Sequence, residues 1–351
     1  MKKLISLVAL WVCASAGDSQ APAFRMQEIR KLGEYPPAPA RALGQAWDRS
    51  GALWFYSLED LKTHFPRLYR LALGAAQATE IRFDLTGAGV PSGFQIVPNL
   101  FADGEGGVFF PVLWRDTEFR AAIVRVSAEG RTSTVRLTPP VEARHLVVRG
   151  DGSFVVLGTD AEFFFRRETH CHLLHLYGSD GQRRSSFSAC PDYGLAGSSP
   201  TRRDGIDYRL LKEDVDHGQL WLEGDSLYHL LPASREIRSF SLPQLAARVV
   251  RLQAPPTQAR RWIVRRLFPL TNAYLVYWMG RTPVSPNAEA GEVVAVLHNR
   301  DGGFLSRPVP AGQLGPLRPV AVTESGELIC WEPGAANGKG AVWISRVALR
   351  Q

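Results

Sequence analysis

The chain has 351 residues, 45% hydrophobic and 21% charged, which is enough apolar material for a large globular core and too much for a disordered chain. Its formal charge is +7, but the lysines are only Lys2, Lys3, Lys31, Lys62, Lys212 and Lys339. Without a Lys-rich run the composition excludes a nucleic-acid-binding surface, and beyond the first residues no apolar stretch is long enough to be a transmembrane segment. The modest basic excess suits an anionic ligand.

Met1-Lys2-Lys3 precedes a short apolar run from Leu4 to Val12 and then Cys13-Ala14-Ser15-Ala16-Gly17. This pattern predicts a secretory signal peptide over residues 1–16, cut after Ala16, and a secreted or periplasmic protein. Losing Lys2 and Lys3 takes the formal charge from +7 to +5. Cys13 leaves lipid anchoring as the alternative, although Val12 stands where a lipobox has a small residue. Residues 25–32 then read as a strand with nothing local to pair with.

From here a unit repeats. Six times a β-turn precedes an apolar, aromatic-rich run: Asp48-Arg-Ser-Gly51, Asp103-Gly-Glu-Gly106, Asp151-Gly152, Asp216-His-Gly218, Thr271-Asn272 and Glu324-Ser-Gly326. The anchors 51, 106, 152, 218, 272 and 326 are 55, 46, 66, 54 and 54 residues apart, the length of a propeller blade. The first blade runs from Ala40 to Asp84, and the second from Gly93 to Leu137 with turns at Asp103 and Glu129-Gly130. The third starts at Arg144 and the fourth at Tyr208-Arg-Leu-Leu211; the fourth ends near Phe240. The fifth leads from Trp262 to the Asn299–Gly302 turn. The sixth stops one strand short, after Ala341–Val347, and the spare strand 25–32 completes it. The reading is an all-β, six-bladed propeller of four-stranded antiparallel blades, one domain over residues 17–351, closed by its N-terminal strand. Helical turns are expected at Ser57–His64 and Leu242–Arg248. Long loops at Thr159–Thr169, Pro191–Ile206 and Met279–Gly291 should project from one face and form the binding surface.

In the third blade Asp180-Gly181 has the sequence of a two-residue type I′ turn, which pairs positions whose numbers sum to 361. Cys171 and Cys190 satisfy that sum. They are predicted to form a disulfide, once a bulge brings their side chains together, and an exported protein can keep one. Cys330, between Ile329 and Trp331, reads as a core residue.

The turn of the form D-x-x-G before an apolar strand, clearest at Asp48–Gly51 and Glu324–Gly326, resembles secreted six-bladed β-propellers of the TolB-like and NHL-like kinds across residues 24–350. Sugar lactonases and related hydrolases of this fold hold a divalent cation in the central channel with Glu, Asn and Asp side chains. Here the inner strands carry Arg, Val, Leu and Phe instead.

Five arginines recur near the starts of inner strands: Arg41, Arg144, Arg209, Arg265 and Arg318 lie 10, 8, 9, 7 and 8 residues before their anchors. Converging guanidinium groups would bind carboxylate or phosphate. Ser92-Gly93 interrupts the series in the second blade. His170, His172 and His175 read as a strand face, with His175 opposite to the other two, and Glu213-Asp214-Val-Asp216-His217 as a turn. Asp84–Gly89 has a phosphate-loop look but no following helix, and no Gly-x-Ser-x-Gly or His-Glu-x-x-His motif occurs. No catalytic residue, metal ligand or cofactor is therefore assigned. The sequence favours a monomeric module that binds a protein or a small anionic or glycan ligand. The alternative is a carbohydrate- or lactone-directed hydrolase or lyase with a divalent metal in the channel.

Overall fold

The computed structural model describes residues 23–35, 42–57, 67–97, 99–103, 105–160, 172–190, 202–203, 206–242, 245, 247–256, 261–285, 288–323, 325–332 and 340–349. The predicted signal peptide, Cys13, Arg41, residues 58–64, His170, Cys171 and most of the loops expected at 159–169 and 191–206 lie outside these residues.

Six antiparallel blade sheets follow one another along the chain, with a two-stranded ladder of Arg202–Arg203 and Ile206–Asp207 between the third and the fourth. Blade one comprises Ala42–Trp47, Leu53–Ser57, Arg67–Leu71 and Thr79–Ile81, and blade three Val141–Val148, Phe154–Asp160, His172–Tyr177 and Arg183–Ala189. Blade two has an innermost strand in two pieces, Gln95–Ile96 and Phe101–Ala102, both paired with Val108–Arg115. Blade five contains the longest hairpin, Ala273–Ser285 against Ala288–Asn299. In blade six, Arg318–Val322, Leu328–Glu332 and Gly340–Leu349 are joined by Phe24–Tyr35 as the outermost strand. This closure matches the expectation for residues 25–32 and covers the edge that the C-terminal strand would otherwise present. Innermost strands of consecutive blades lie side by side around the axis of a six-bladed propeller.

Both faces of the central strands are apolar because each blade packs against two others. In blade one Trp54 faces blade two with Phe110 and Val124, whereas Leu53 and Phe55 face blade six with Ile329 and Trp331. Six such clusters, one between each adjacent pair of blades, make the core. Burying an indole requires an acceptor for its N–H. Trp54 donates to Asp48 Oδ2 at 2.7 Å, and Trp278 to His298 Nε2 at 3.2 Å.

Outer turns lock into the preceding blade at very short range. Gly181 has φ +77°, and a Cβ there would lie 2.0 Å from the Arg136 carbonyl oxygen, so only glycine fits. Gly130 against Arg82 and Gly302 against Arg251 repeat the same approach at 2.2 Å.

The structure corrects the fourth blade. Tyr208–His217 is an α-helix, α1, not a strand, and the innermost strand is Gln219–Glu223, so the blade's inner turn moves from Gly218 to Gly224. Asp207 caps α1, its carboxylate accepting from the Arg209 and Leu210 amides at 3.0 and 3.2 Å. Leu211 and Val215, one turn apart, bury one face of the helix. Three smaller expectations also change. Met279–Gly291, expected as a long loop, is mostly strand, since Ala273–Ser285 and Ala288–Asn299 extend the blade-five hairpin. Ala247–Arg251 is a strand rather than part of a helical turn. The Asp180-Gly181 turn is a wider loop closed by Gly178 N–H donating to Gln182 O. Tyr177 pairs with Arg183, and a bulge between Leu176 and Tyr177 restores the expected register, so that Leu176 pairs with Ser185 and His172 with Ala189.

Candidate functional site

Innermost strands set the wall of the axial channel, and four of them carry an irregularity at the same level. The pairing slips between Leu43 and Gln45, Ala143 and His145, Val264 and Arg266, and Pro319 and Ala321. A bulge of this kind frees one residue from the ladder and re-aims the next. It places Arg144, Arg265 and Val320 out of the regular alternation. Polar groups at this waist tie neighbouring blades together: Asn99 Nδ2 donates to Arg144 O at 2.7 Å, and Leu267 N to Gln219 Oε1 at 2.9 Å. Arg266 Nη2 donates to Val320 O at 2.9 Å.

Strands alternate in direction, so the connections between second and third strands, and those between blades, leave from the end where the innermost strands begin. The hairpin of blade five rises at this end to Ser285 and Ala288. The opposite end carries the short inner turns and opens into a cavity of about 760 Å³ lined by five blades, with Trp47, His145, Arg149 and Trp221 in its wall.

Charges around that cavity are already engaged in building turns. Asp48 accepts from Ala52 N and Ser50 Oγ as well as from Trp54. Asp103 takes the Glu105 amide at 2.9 Å and the Arg125 guanidinium at 2.7 Å. Asp151 holds Ser153 N at 3.0 Å and Arg149 at 3.1 Å. His145 stacks edge-on against Phe101 with ring centroids 4.5 Å apart, and its Nδ1 is buried without a partner among the described residues. Burial first, and then the nearby Arg266 charge, lowers its pKa to about 3, so the ring is neutral at pH 7.

Four of the five sequence-marked arginines are described, and they divide. Arg144, on the innermost strand of blade three, is held by Glu142 and by Asp216 of α1, the latter at 3.3 Å. Arg209 is exposed on α1, away from any inner strand, because the fourth blade begins later than its sequence implied. Arg265 and Arg318 lie on the innermost strands of adjacent blades and are exposed. Beside them is Arg266, which sequence reading passed over. Its guanidinium sits 5.0 Å from the centre of the Phe268 ring, and burial pushes its pKa down to about 10, leaving it charged at pH 7. The signal for it was present as two consecutive arginines inside an otherwise apolar strand.

The other singled-out groups are structural. The acidic run lies on α1 rather than in a turn. Asp214 is fully buried and bonds Ala233 N and Ser234 Oγ, and Asp216 also pairs with Lys212 at 2.7 Å. His172 is exposed and His175 buried, on opposite faces as expected, and His175 contacts Ser186 Oγ at 2.9 Å. Asp84 caps its own turn at Thr86 N. Among the described residues no three His, Cys, Asp or Glu side chains are grouped to hold a metal ion. Cys190 packs against the core between blades three and four, and Cys330 is the one free cysteine among the described residues. No helix of the described chain is long and apolar enough to cross a membrane.

No family model and no curated protein matches the chain. Several solved structures align with it over most of its length. The PQQ-bound aldose sugar dehydrogenase from Streptomyces coelicolor is 12% identical with a TM-score of 0.49, covering 93% of this chain and 100% of its own. A protein of unknown function from Bacteroides caccae is 11% identical with a TM-score of 0.46, covering 84% of this chain and 95% of its own. The order of its sheets, closed by the N-terminal strand, makes the chain an all-β propeller.

Proposed function

We propose that the protein is an exported β-propeller that binds a ligand or protein partner at the loop-bearing end of its axial channel. The domain is the single unit of residues 17–351 that remains after cleavage following Ala16. The observation that carries the reading is the blade-five hairpin, which rises at the end where the innermost strands begin, beside the Arg265 and Arg318 that blades five and six expose there; the loops expected at 159–169 and 191–206 would leave from the same end. At the other end the charged groups are consumed in turn formation. The Cys171–Cys190 disulfide belongs to the same proposal. The observed pairing of His172 with Ala189 supports it, since one further step of that register sets 171 opposite 190.

The test is a thermal-shift screen of the mature chain against metabolites and glycans. It is repeated with the blade-five hairpin cut back by replacing residues 281–291 with a two-residue turn. Ligands that stabilise the full chain, lose their effect on the shortened one and are recovered chemically unchanged are the expected outcome. A ligand that stabilises both chains equally would move the site elsewhere, and a ligand converted to product would make the protein an enzyme.

A further inference from the structure

Many arginines of this protein meet carboxylates. Arg125 takes Asp103 and Glu105, Arg251 takes Glu236, and Arg346 takes Glu327 at 2.8 Å. Others, among them Arg82, Arg136, Arg209, Arg235 and Arg307, have no ion pair with a described residue, and of these unpaired arginines three lie on innermost strands, in blades five and six. Arg265, Arg266 and Arg318 form no ion pair with any described residue.

Their placement makes this unusual. All three lie on innermost strands of neighbouring blades, and Arg266 reaches across to the Val320 carbonyl two residues beyond Arg318. That bond uses one of the five donors of a guanidinium, while Phe268 covers a ring-sized part of its surface. Tyr277, directly opposite Arg266 in the sheet, adds a partly buried hydroxyl. Arg265 places a second positive charge next to Arg266, and like charges at that spacing repel in an environment only partly open to water. Enclosing an unpaired guanidinium costs free energy that a protein ordinarily offsets with a carboxylate. Among the described residues no carboxylate pairs with Arg266, and the Val320 bond leaves guanidinium donors over for a ligand.

We infer that Arg265, Arg266 and Arg318 form a binding site for a multivalent oxyanion, a carboxylate- or phosphate-bearing ligand, on the blade-five and blade-six side of the channel mouth. The inference rests on the reading of this mouth as the ligand-binding end and names the chemistry that it takes. Planar, forked donors on two strands suit two oxygens of one carboxylate or phosphate group, and a third guanidinium suits a second anionic group on the same molecule. Arg144 and Arg209 stand outside the site, the first neutralised and the second on α1.

Calorimetric titration at low salt with citrate and with pyrophosphate tests it. Wild type should bind at least one of the two, and raising the salt should weaken binding. The double variant Arg265→Gln/Arg318→Gln changes exposed side chains and keeps the fold, and should weaken binding by about tenfold or more. Arg266→Met should abolish it. The same Met variant should melt no lower than wild type in anion-free buffer, because it removes a half-buried charge that has no ion pair with a described residue. An Arg266 that served only to hold Val320 and Phe268 would instead lose stability with and without anion. Absence of citrate and pyrophosphate binding, or equal binding by all variants, overturns the inference. The wider reading survives that result if uncharged ligands still depend on the blade-five hairpin, and fails with it if none do.

Discussion

Phe24 and Ile29 lie on the same closing strand and should respond in opposite ways to truncation. Phe24 is 1% exposed and packs between blades five and six against Phe268, Leu297 and Leu328, whereas Ile29 is 46% exposed at a bulge in the pairing with the C-terminal strand. Phe24→Ala removes a fully buried ring from a site whose walls belong to two different sheets, which limits collapse. The cost should be about 3–5 kcal/mol, a large part of a total stability of roughly 5–15 kcal/mol. Ile29→Ala should change stability by no more than about 0.5 kcal/mol. Urea denaturation of the mature chain, followed by tryptophan fluorescence, reads both variants against wild type. Deleting residues 24–35 should go further, exposing the edge of Gly340–Leu349 and promoting aggregation as well as unfolding. Equal midpoints for the Phe24 and Ile29 variants would refute the closure of the ring by this strand.

Gly181→Ala should cost about 2–5 kcal/mol, from the left-handed backbone and from the clash with the Arg136 carbonyl, whereas Gly224→Ala meets open space and should cost only the backbone strain of about 1–2 kcal/mol. Burial lowers His298 from 6.5 to about 4, so between those values the unfolded chain holds a proton that the folded chain refuses. Its stabilising contribution is complete above pH 6.5 and declines as pH falls towards 4, by about 3 kcal/mol in all, which a series of urea curves from pH 7.5 to pH 4.5 would show. His175, lowered to about 4 chiefly by burial, should add to the same decline. Non-reduced peptide mass spectrometry should find Cys171 linked to Cys190. Cys330, buried and pushed up to about 12, should be alkylated only after unfolding; alkylation of Cys171 and Cys190 without prior reduction would remove the disulfide.

Much of the fold was legible because each inner turn reports its own blade. Asp48, Asp103 and Asp151 recur where a carboxylate must cap the turn, and the apolar runs after them are apolar on both faces because two blades claim them. The fourth blade was misread for a local reason. Tyr208-Arg-Leu-Leu211 has the composition of a strand, and the helical spacing of Leu211 and Val215 was outweighed by the glycine at 218. That error carried into the site, since Arg209 was placed on an inner strand that starts ten residues later. The arginines of blades five and six were partly visible: Arg265 and Arg318 follow the repeat. Arg266 did not, because a bulge shifts the alternation by one residue and nothing in the local pattern announces which of two adjacent arginines will be enclosed. Pairing partners were also hidden. That Arg144 would be neutralised by Asp216, 72 residues away on a helix, follows only from the packing of α1 beside blade three.

The most direct measurement of the central claim is anomalous diffraction from crystals of the mature protein soaked in selenate, an oxyanion whose selenium can be located without assumption. The account expects a selenium peak within hydrogen-bonding reach of the Arg266 guanidinium, shared with Arg265 or Arg318, and its disappearance in Arg266→Met. Selenate found only at outer arginines such as Arg248, with nothing at the channel mouth, would contradict it.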